Sequence, residues 1–376
     1  MDSKEKLKKK KNILYVYTSG RSVRNNKYRP KEFFYGYHAL KKNNNLSVDF
    51  IEIDNLFDKK DYFSLNTLLF KIKDTFFLKY YGIGFRSHQL IKHRGLLKKY
   101  DVIIGTNDSI SLGLMEIKKK FKYQYKIIYL NMGLTNNINI LKNNKKKFLF
   151  IKRYFDSRFK LFHKVLSVGK NETIFFRRIF KKHKNIFQYI GFCIDTQFWK
   201  KLNQKKIKHF LFVGSEINRD FSMAFKIAKI NPEYKFVFVT NFKFKNSLPN
   251  LKVYNGSFKR PAISDSLLLK LYNQAYCVFL PIKSETTLPS GQSVAMQAMS
   301  TKCPVVISNY QGLWDKDVLR NKKNIYIVKN SESEFSKVLL KTVHYDETIK
   351  IRNKARETMV SLYSLDIFAK KLLRYF

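Results

Sequence analysis

Short, continuously apolar runs recur along this chain. Each is followed by a longer stretch with helical periodicity, and the series starts over after residue 200. Asn12–Tyr17 (NILYVY), Leu46–Ile53 (LSVDFIEI), Val102–Gly105 (VIIG), Lys126–Leu130 (KIIYL) and Lys164–Val168 (KVLSV) form the first set. His209–Gly214 (HFLFVG), Lys235–Thr240 (KFVFVT), Leu251–Tyr254, Tyr276–Pro281, Pro304–Ser308 (PVVIS) and Asn324–Val328 (NIYIV) form the second. A strand that is apolar along its whole length is buried on both faces, so these runs indicate parallel sheets covered by helices. Pro30–Lys42, Phe221–Ile230, Ser266–Gln274, Ser293–Met299 and the chain from Ser331 onward carry helical patterns. The expected fold class is α/β, with two doubly wound, Rossmann-like domains facing across a cleft. Ligands in such sheets bind at the carboxyl ends of the strands. The basic stretch Lys200–Lys208 (KKLNQKKIK) reads as a linker. It divides the chain into two domains, 1–200 and 201–376, and the last helix of the second can pack back on the first. A length of 376 residues is ample for two cores.

Lys and Arg number 74 against 28 Asp and Glu, a net charge of +46. The lysines run through the whole chain, which points to compositional drift as their main origin. The charge still acts, so contact with an anionic membrane surface is a live expectation. Tyr62–Lys99 mixes aromatic and aliphatic residues with Lys and Arg. It reads either as a helix with one core face or as a basic amphipathic stretch lying on a membrane. Specific nucleic-acid binding is not expected, because no recognition motif accompanies the charge. Cys193, Cys277 and Cys303 form neither a disulfide framework nor a metal set. The first residues (DSKEKLKKKKN) are charged, with no signal core and no membrane span expected. A cytoplasmic chain, peripheral on the inner membrane face, is the resulting expectation. The seven histidines have no metal-ligand spacing, and no Asp-x-Asp, Gly-x-Gly-x-x-Gly or Gly-x-Ser-x-Gly is found, so no metal and no cofactor are expected.

Leu288–Ser308 (LPSGQSVAMQAMSTKCPVVIS) is the most informative stretch. A loop of small polar residues, Ser290, Gly291, Gln292 and Ser293, opens a helix that runs into a buried strand. Free N–H groups and the positive dipole end at such a start suit a phosphate. Gly291 lets the backbone approach a ligand, and Ser293 is positioned to cap the helix or bind an anion. An ordinary capped helix without a ligand fits the spacing equally well.

This segment resembles the signature of the GT-B glycosyltransferases, in particular family 4 (glycosyl transferases group 1). In that family two Glu residues lie eight positions apart; here those positions hold Pro289 and Gln297, so both carboxylates are missing. The resemblance implies that Gln297 hydrogen-bonds the ribose of a nucleotide sugar; Glu285 is either a substitute for the first carboxylate or an ordinary exposed loop residue. Phe212–Phe221 (FVGSEINRDF) is similar to the opening strand and loop of the family's second domain, which makes Gly214 the turn residue and Arg219 the diphosphate ligand. Gly191–Trp199 (GFCIDTQFW) is similar to the segment closing the first domain, a structural role for Asp195. By the same resemblance Ser19 and Gly20, after the strand Asn12–Tyr17, approach the donor phosphates and the acceptor, and Asp108 is a candidate for the acceptor hydroxyl or a helix cap. Asn131 stands where many relatives carry a His.

The expected function is transfer of a sugar from a nucleotide-sugar donor to a saccharide or lipid-linked acceptor, retaining and metal-independent, in glycan or surface polysaccharide synthesis. The alternatives are a sugar-nucleotide 2-epimerase of the same fold and a basic, non-catalytic binder of membrane or nucleic acid.

Overall fold

The computed structural model describes residues 10–53, 64–203, 209–256 and 261–376. Most of the charged N-terminal stretch, the core of the expected linker (204–208) and the first two residues of Tyr62–Lys99 lie outside the described residues. The chain forms two compact units. One comprises Met1–Asn26, Phe34–Gly191 and Phe368–Phe376, and the other Lys27–Phe33 and Phe192–Ile367.

The first unit is built on a six-stranded sheet of order β2-β1-β3-β4-β5-β6. The strands are β1 (Lys11–Tyr17), β2 (Leu46–Glu52), β3 (Val102–Gly105), β4 (Lys126–Asn131), β5 (Lys164–Ser167) and β6 (Phe187–Tyr189). All pairs are parallel, with Ile13 opposite Val102 and Val16 opposite Gly105 at the centre. The helices are α1 (Arg21–Arg24), α2 (Tyr37–Lys41), α3 (Leu65–Tyr81), α4 (Ser87–Leu90), α5 (Arg94–Leu97), α6 (Asp108–Phe121), α7 (Leu134–Leu141), α8 (Lys145–Asp156) and α9 (Lys170–Ile179). Leu14, Val16, Ile103, Ile127 and Val165 feed one core, joined by Phe155, Phe159, Phe176, Phe180 and Phe187. Phe159 meets Phe180 at 4.7 Å and Phe187 at 5.1 Å between ring centroids. Gly105 lets α6 pack close, since a Cβ there would lie 2.9 Å from Ser111 Cα.

The single helix expected over Pro30–Lys42 does not form. A 3-10 turn (Glu32–Phe34) and α2 are separated by Tyr35 (φ 49°) and Gly36 (φ 81°), two successive left-handed residues that end one turn and reset the chain direction. Buried hydroxyls hold the break: Tyr15 donates to the Tyr35 carbonyl at 3.0 Å and Tyr17 to that of Phe34 at 2.9 Å.

The second unit carries a parallel sheet of order β12-β11-β10-β7-β8-β9. Its strands are β7 (His209–Val213), β8 (Phe236–Thr240), β9 (Leu251–Asn255), β10 (Ala275–Leu280), β11 (Val305–Ser308) and β12 (Tyr326–Val328). Its helices are α10 (Phe221–Lys229), α11 (Asp265–Gln274), α12 (Gln292–Ser300), α13 (Glu332–Val343) and α14 (Tyr345–Tyr363); α15 (Leu365–Leu373) crosses from this unit into the first. Phe210, Phe212, Phe236, Phe238 and Phe279 stack along one face of the sheet. The three cysteines are free and buried. No described helix is long and apolar enough to cross a membrane.

Candidate functional site

In the second unit, the loops after β7 and β10 meet at the start of α12. The turn after β7 is pinned to the end of β10: the Asp220 amide donates to the Pro281 carbonyl (2.9 Å), the Lys283 amide to that of Asn218 (3.1 Å), and Arg219 bridges Ile282. This fixes the Arg219 backbone and sends its side chain inward, where it is only 2% exposed. The guanidinium lies between two glycines. A Cβ on Gly214 would collide with its Nε, and one on Gly291 would stand 2.6 Å from Nη1. Gly291 is also the N-cap of α12, left-handed at φ 79°, so an L side chain is disfavoured there twice over.

Arg219 Nη2 pairs with Glu216 Oε1 at 3.2 Å, while Nε and Nη1 have no hydrogen-bond partner among the described residues. The same Oε1 accepts the Gly291 amide at 3.1 Å, and Oε2 accepts Ser290 Oγ at 3.2 Å. Asn218 Nδ2 donates to Ser290 Oγ at 3.0 Å, and Tyr310 donates its hydroxyl to the Ser290 carbonyl. A carboxylate thus already sits where a helix amide, a hydroxyl and a guanidinium converge. Burial lowers the Arg219 pKa, and the Glu216 charge works against that shift. A buried cation with two unsatisfied N–H groups is costly unless a ligand completes it. Glu216 is 43% exposed and is the one acidic member of the cluster with room to leave.

Two expectations for this region are corrected. Ser293 does not cap α12: Gly291 is the N-cap with no side-chain bond, and Ser293 lies inside the first turn. Glu285 is exposed on the loop, accepts from Ser284 Oγ at 3.4 Å, and makes no contact with the guanidinium. Gln292, the first helical residue, is buried. Gln297 is also buried, and both its polar atoms are engaged. Its amide donates to Glu32 Oε1 at 3.0 Å and its carbonyl accepts the Tyr272 hydroxyl at 3.0 Å. Trp199 Nε1 donates to the same Glu32 oxygen at 2.8 Å. Burial pushes the Glu32 carboxyl up to about 7, against the lowering effect of these donors. Asp195 has the structural role expected, accepting the amides of Gln197 and Phe198 and, through Oδ2, that of Lys31.

In the first unit, Ser19 and Gly20 (φ 85°) form an exposed turn at the start of α1. Glu52 Oε1 accepts the amides of Arg21 and Ser22, the latter at 2.8 Å. Asp108 is neither the cap of α6 nor a free carboxylate: Asn107 caps, accepting the Ile110 amide at 3.0 Å. Asp108 Oδ1 takes the Tyr129 hydroxyl at 2.6 Å and the Met132 amide at 2.9 Å, which ties α6 to the end of β4. Burial raises its pKa and these donors oppose the rise. Asn131 donates to Glu172 Oε1 at 2.8 Å, as does Thr135 at 2.9 Å, and burial pushes Glu172 up to about 7.

Glu216, Glu32 and Glu172 were not anticipated. Their signal is contextual. In a chain with so few acids, Glu32 and Glu172 each stand within an aromatic run (KEFFYGY and NETIFF), and Glu216 falls inside the turn that carries Arg219. Among the described residues, no group of three or more His, Cys, Asp or Glu is placed to hold a metal ion.

No protein-family model matches the sequence, and no curated protein matches it. Solved structures do. Anabaena HepE, in complex with UDP and glucose, superposes with a TM-score of 0.61 at 10% identity, covering 96% of this chain and 98% of that one. A glycosyltransferase from Rickettsia africae gives 0.63 at 12%, covering 97% and 98%. The N-terminal domain of Candida albicans trehalose-6-phosphate phosphatase gives 0.65 at 12%, covering 100% and 98%. Likeness at this identity speaks for the architecture: the chain has the two-sheet, doubly wound GT-B fold.

Proposed function

We propose that the chain is a glycosyltransferase whose second unit binds the diphosphate of a nucleotide sugar between Arg219 and the Gly291 end of α12. The observation that carries this is the buried guanidinium with two unpartnered N–H groups, packed on two glycines beside a helix amide that already holds a carboxylate. A fold of this kind hosts many activities, so the site rather than the architecture carries the reading. HepE in complex with UDP-glucose supports the donor class.

In the reaction, the bond from the sugar's anomeric carbon to the diphosphate oxygen breaks and a bond to the acceptor oxygen forms. The departing diphosphate takes up the acceptor proton. Arg219, the Gly291 amide and Ser290 Oγ stabilise the charge that grows on the leaving group, so catalysis is positioning plus electrostatics. Glu216 must swing outward first, because two anions cannot share those donors. We read the transfer as retaining, hexosyl and metal-independent, of family-4 type, with a saccharide or lipid-linked acceptor. A thermal-shift screen of nucleotide sugars tests the reading. The expected result is stabilisation by a nucleoside diphosphate sugar that persists in moderate salt and is absent in Arg219→Ala. No stabilisation by any of them, or equal stabilisation of the variant, would overturn it.

A further inference from the structure

Helix α3 is apolar on two opposite sides. Phe70, Phe77 and the aliphatic part of Thr67 face the core, with Asp74 buried against His88 Nδ1 at 2.8 Å. On the other side Leu65, Leu68, Leu69, Ile72 and Phe76 follow helical spacing and are 40% to 72% exposed. A solvent-facing helix normally carries polar residues on that stripe. Around the C-terminal end of α3, Phe76, Tyr80, Tyr81 and Phe150 form an aromatic group, with Phe150 stacked on Tyr81 at 5.2 Å. Lys147 Nζ donates to the Tyr80 carbonyl at 3.0 Å, which ties the start of α8 to the end of α3.

The charges nearby have one sign. Lys71, Lys79, Lys145, Lys146 and Lys147 are exposed on these two helices. Their acidic residues are accounted for: Asp74 is buried, and Asp156 pairs with Lys152 at 2.6 Å. Beside α3 a groove of about 410 Å³ is lined by Leu69, Phe70, Lys73, Lys119 and Lys120. Its one carboxylate, Glu116, is held by Lys73, by Arg158 and by the Tyr154 hydroxyl.

We infer that the α3–α8 face of the first unit docks on an anionic lipid bilayer. The aliphatic stripe enters the boundary between headgroups and acyl chains, the aromatic group sits at headgroup level, and the surrounding lysines meet lipid phosphates. An acidic protein partner would match the lysines but not a continuous stripe of Leu and Ile with no polar residue to satisfy. This inference goes beyond the donor reading and does not depend on it.

Vesicle flotation of the full chain tests it, with phosphatidylcholine alone and with phosphatidylcholine containing about 30% phosphatidylglycerol. The wild type should float with the anionic vesicles and stay behind with the neutral ones. Leu69→Gln with Ile72→Gln, exposed positions where Gln keeps helix propensity, should lower partitioning at least ~10-fold. The same change at exposed Val360 and Leu362 of α14 should alter it less than about twofold. Melting by circular dichroism should be unchanged in both variants. Equal flotation of wild type and the α3 variant would mean adsorption by charge alone and overturn the inference. So would absence of flotation, or a wild-type dimer that the α3 variant makes monomeric.

Discussion

Each unit has a glycine-started turn at the carboxyl edge of its sheet, and in each a glutamate rests on the turn's amides. In the first unit the turn is Gly20, left-handed at φ 85°, and the carboxylate is Glu52. In the second it is Gly291 at φ 79° with Glu216. What lies behind the glycine differs. A Cβ on Gly20 would meet nothing within 4 Å, whereas one on Gly291 would strike the Arg219 guanidinium. Helix α1 is four residues long and α12 is nine, so the aligned peptide dipoles behind the two turns also differ. A glycine turn is therefore a template only; the second adds a buried guanidinium with unsatisfied N–H groups, the feature the donor proposal rests on.

The sharpest way to break this contrast is Arg219→Ala, which should weaken binding of UDP, used as a probe, by roughly 10- to 100-fold in titration calorimetry. Arg21→Ala in the first unit should change it by less than about twofold. Comparable losses from the two would erase the distinction between the turns. Next in size is Gly291→Ala, which adds left-handed strain and a clash with Nη1. It should lower stability by about 1–3 kcal/mol and cost nucleotide affinity as well, while Gly20→Ala should carry the strain alone. Glu216→Gln removes the resident anion but keeps its shape. It should strengthen UDP binding several-fold, of order 1 kcal/mol. Unchanged or weaker affinity would show that the carboxylate does not compete for the site.

A pH-dependent comparison concerns the two buried carboxyls, Glu32 in one unit and Glu172 in the other, each pushed up to about 7 from an ordinary 4.5. The folded state keeps these protons to higher pH than the unfolded chain does. Their contribution is full below about 4.5 and is lost as pH rises through about 7, at most about 3 kcal/mol each. Glu32→Gln and Glu172→Gln should each flatten the decline of Tm across that window. A decline as steep as in the wild type would show that the carboxyl titrates at its ordinary pH.

Much of this was legible in the sequence for a physical reason. Strands buried on both faces must be apolar throughout, and runs such as KIIYL and HFLFVG announce themselves without any tertiary context. Gly291 stood out by its local turn chemistry, whereas Arg219 stood out only through the resemblance of its segment to a known motif. The rest is set by long-range neighbours. Whether Gln297 is free depends on Glu32, which lies 265 positions away in the sequence. The three-residue strand β6 is too short to show a period. Asp108 looks like a cap by position, yet its carboxylate is claimed by Tyr129 and Met132 across the sheet edge.

If the proposed donor site is right, the Glu216 contact also bears on which anions the resting site would admit. A lone inorganic phosphate has to evict a tethered carboxylate that is always present at high local concentration, and it gains few new bonds in return. On that proposal, a ligand with two linked phosphates would reach the N–H groups that Glu216 leaves unsatisfied and win the exchange. On the donor proposal, the tethered acid would act as a threshold that a single small anion does not cross.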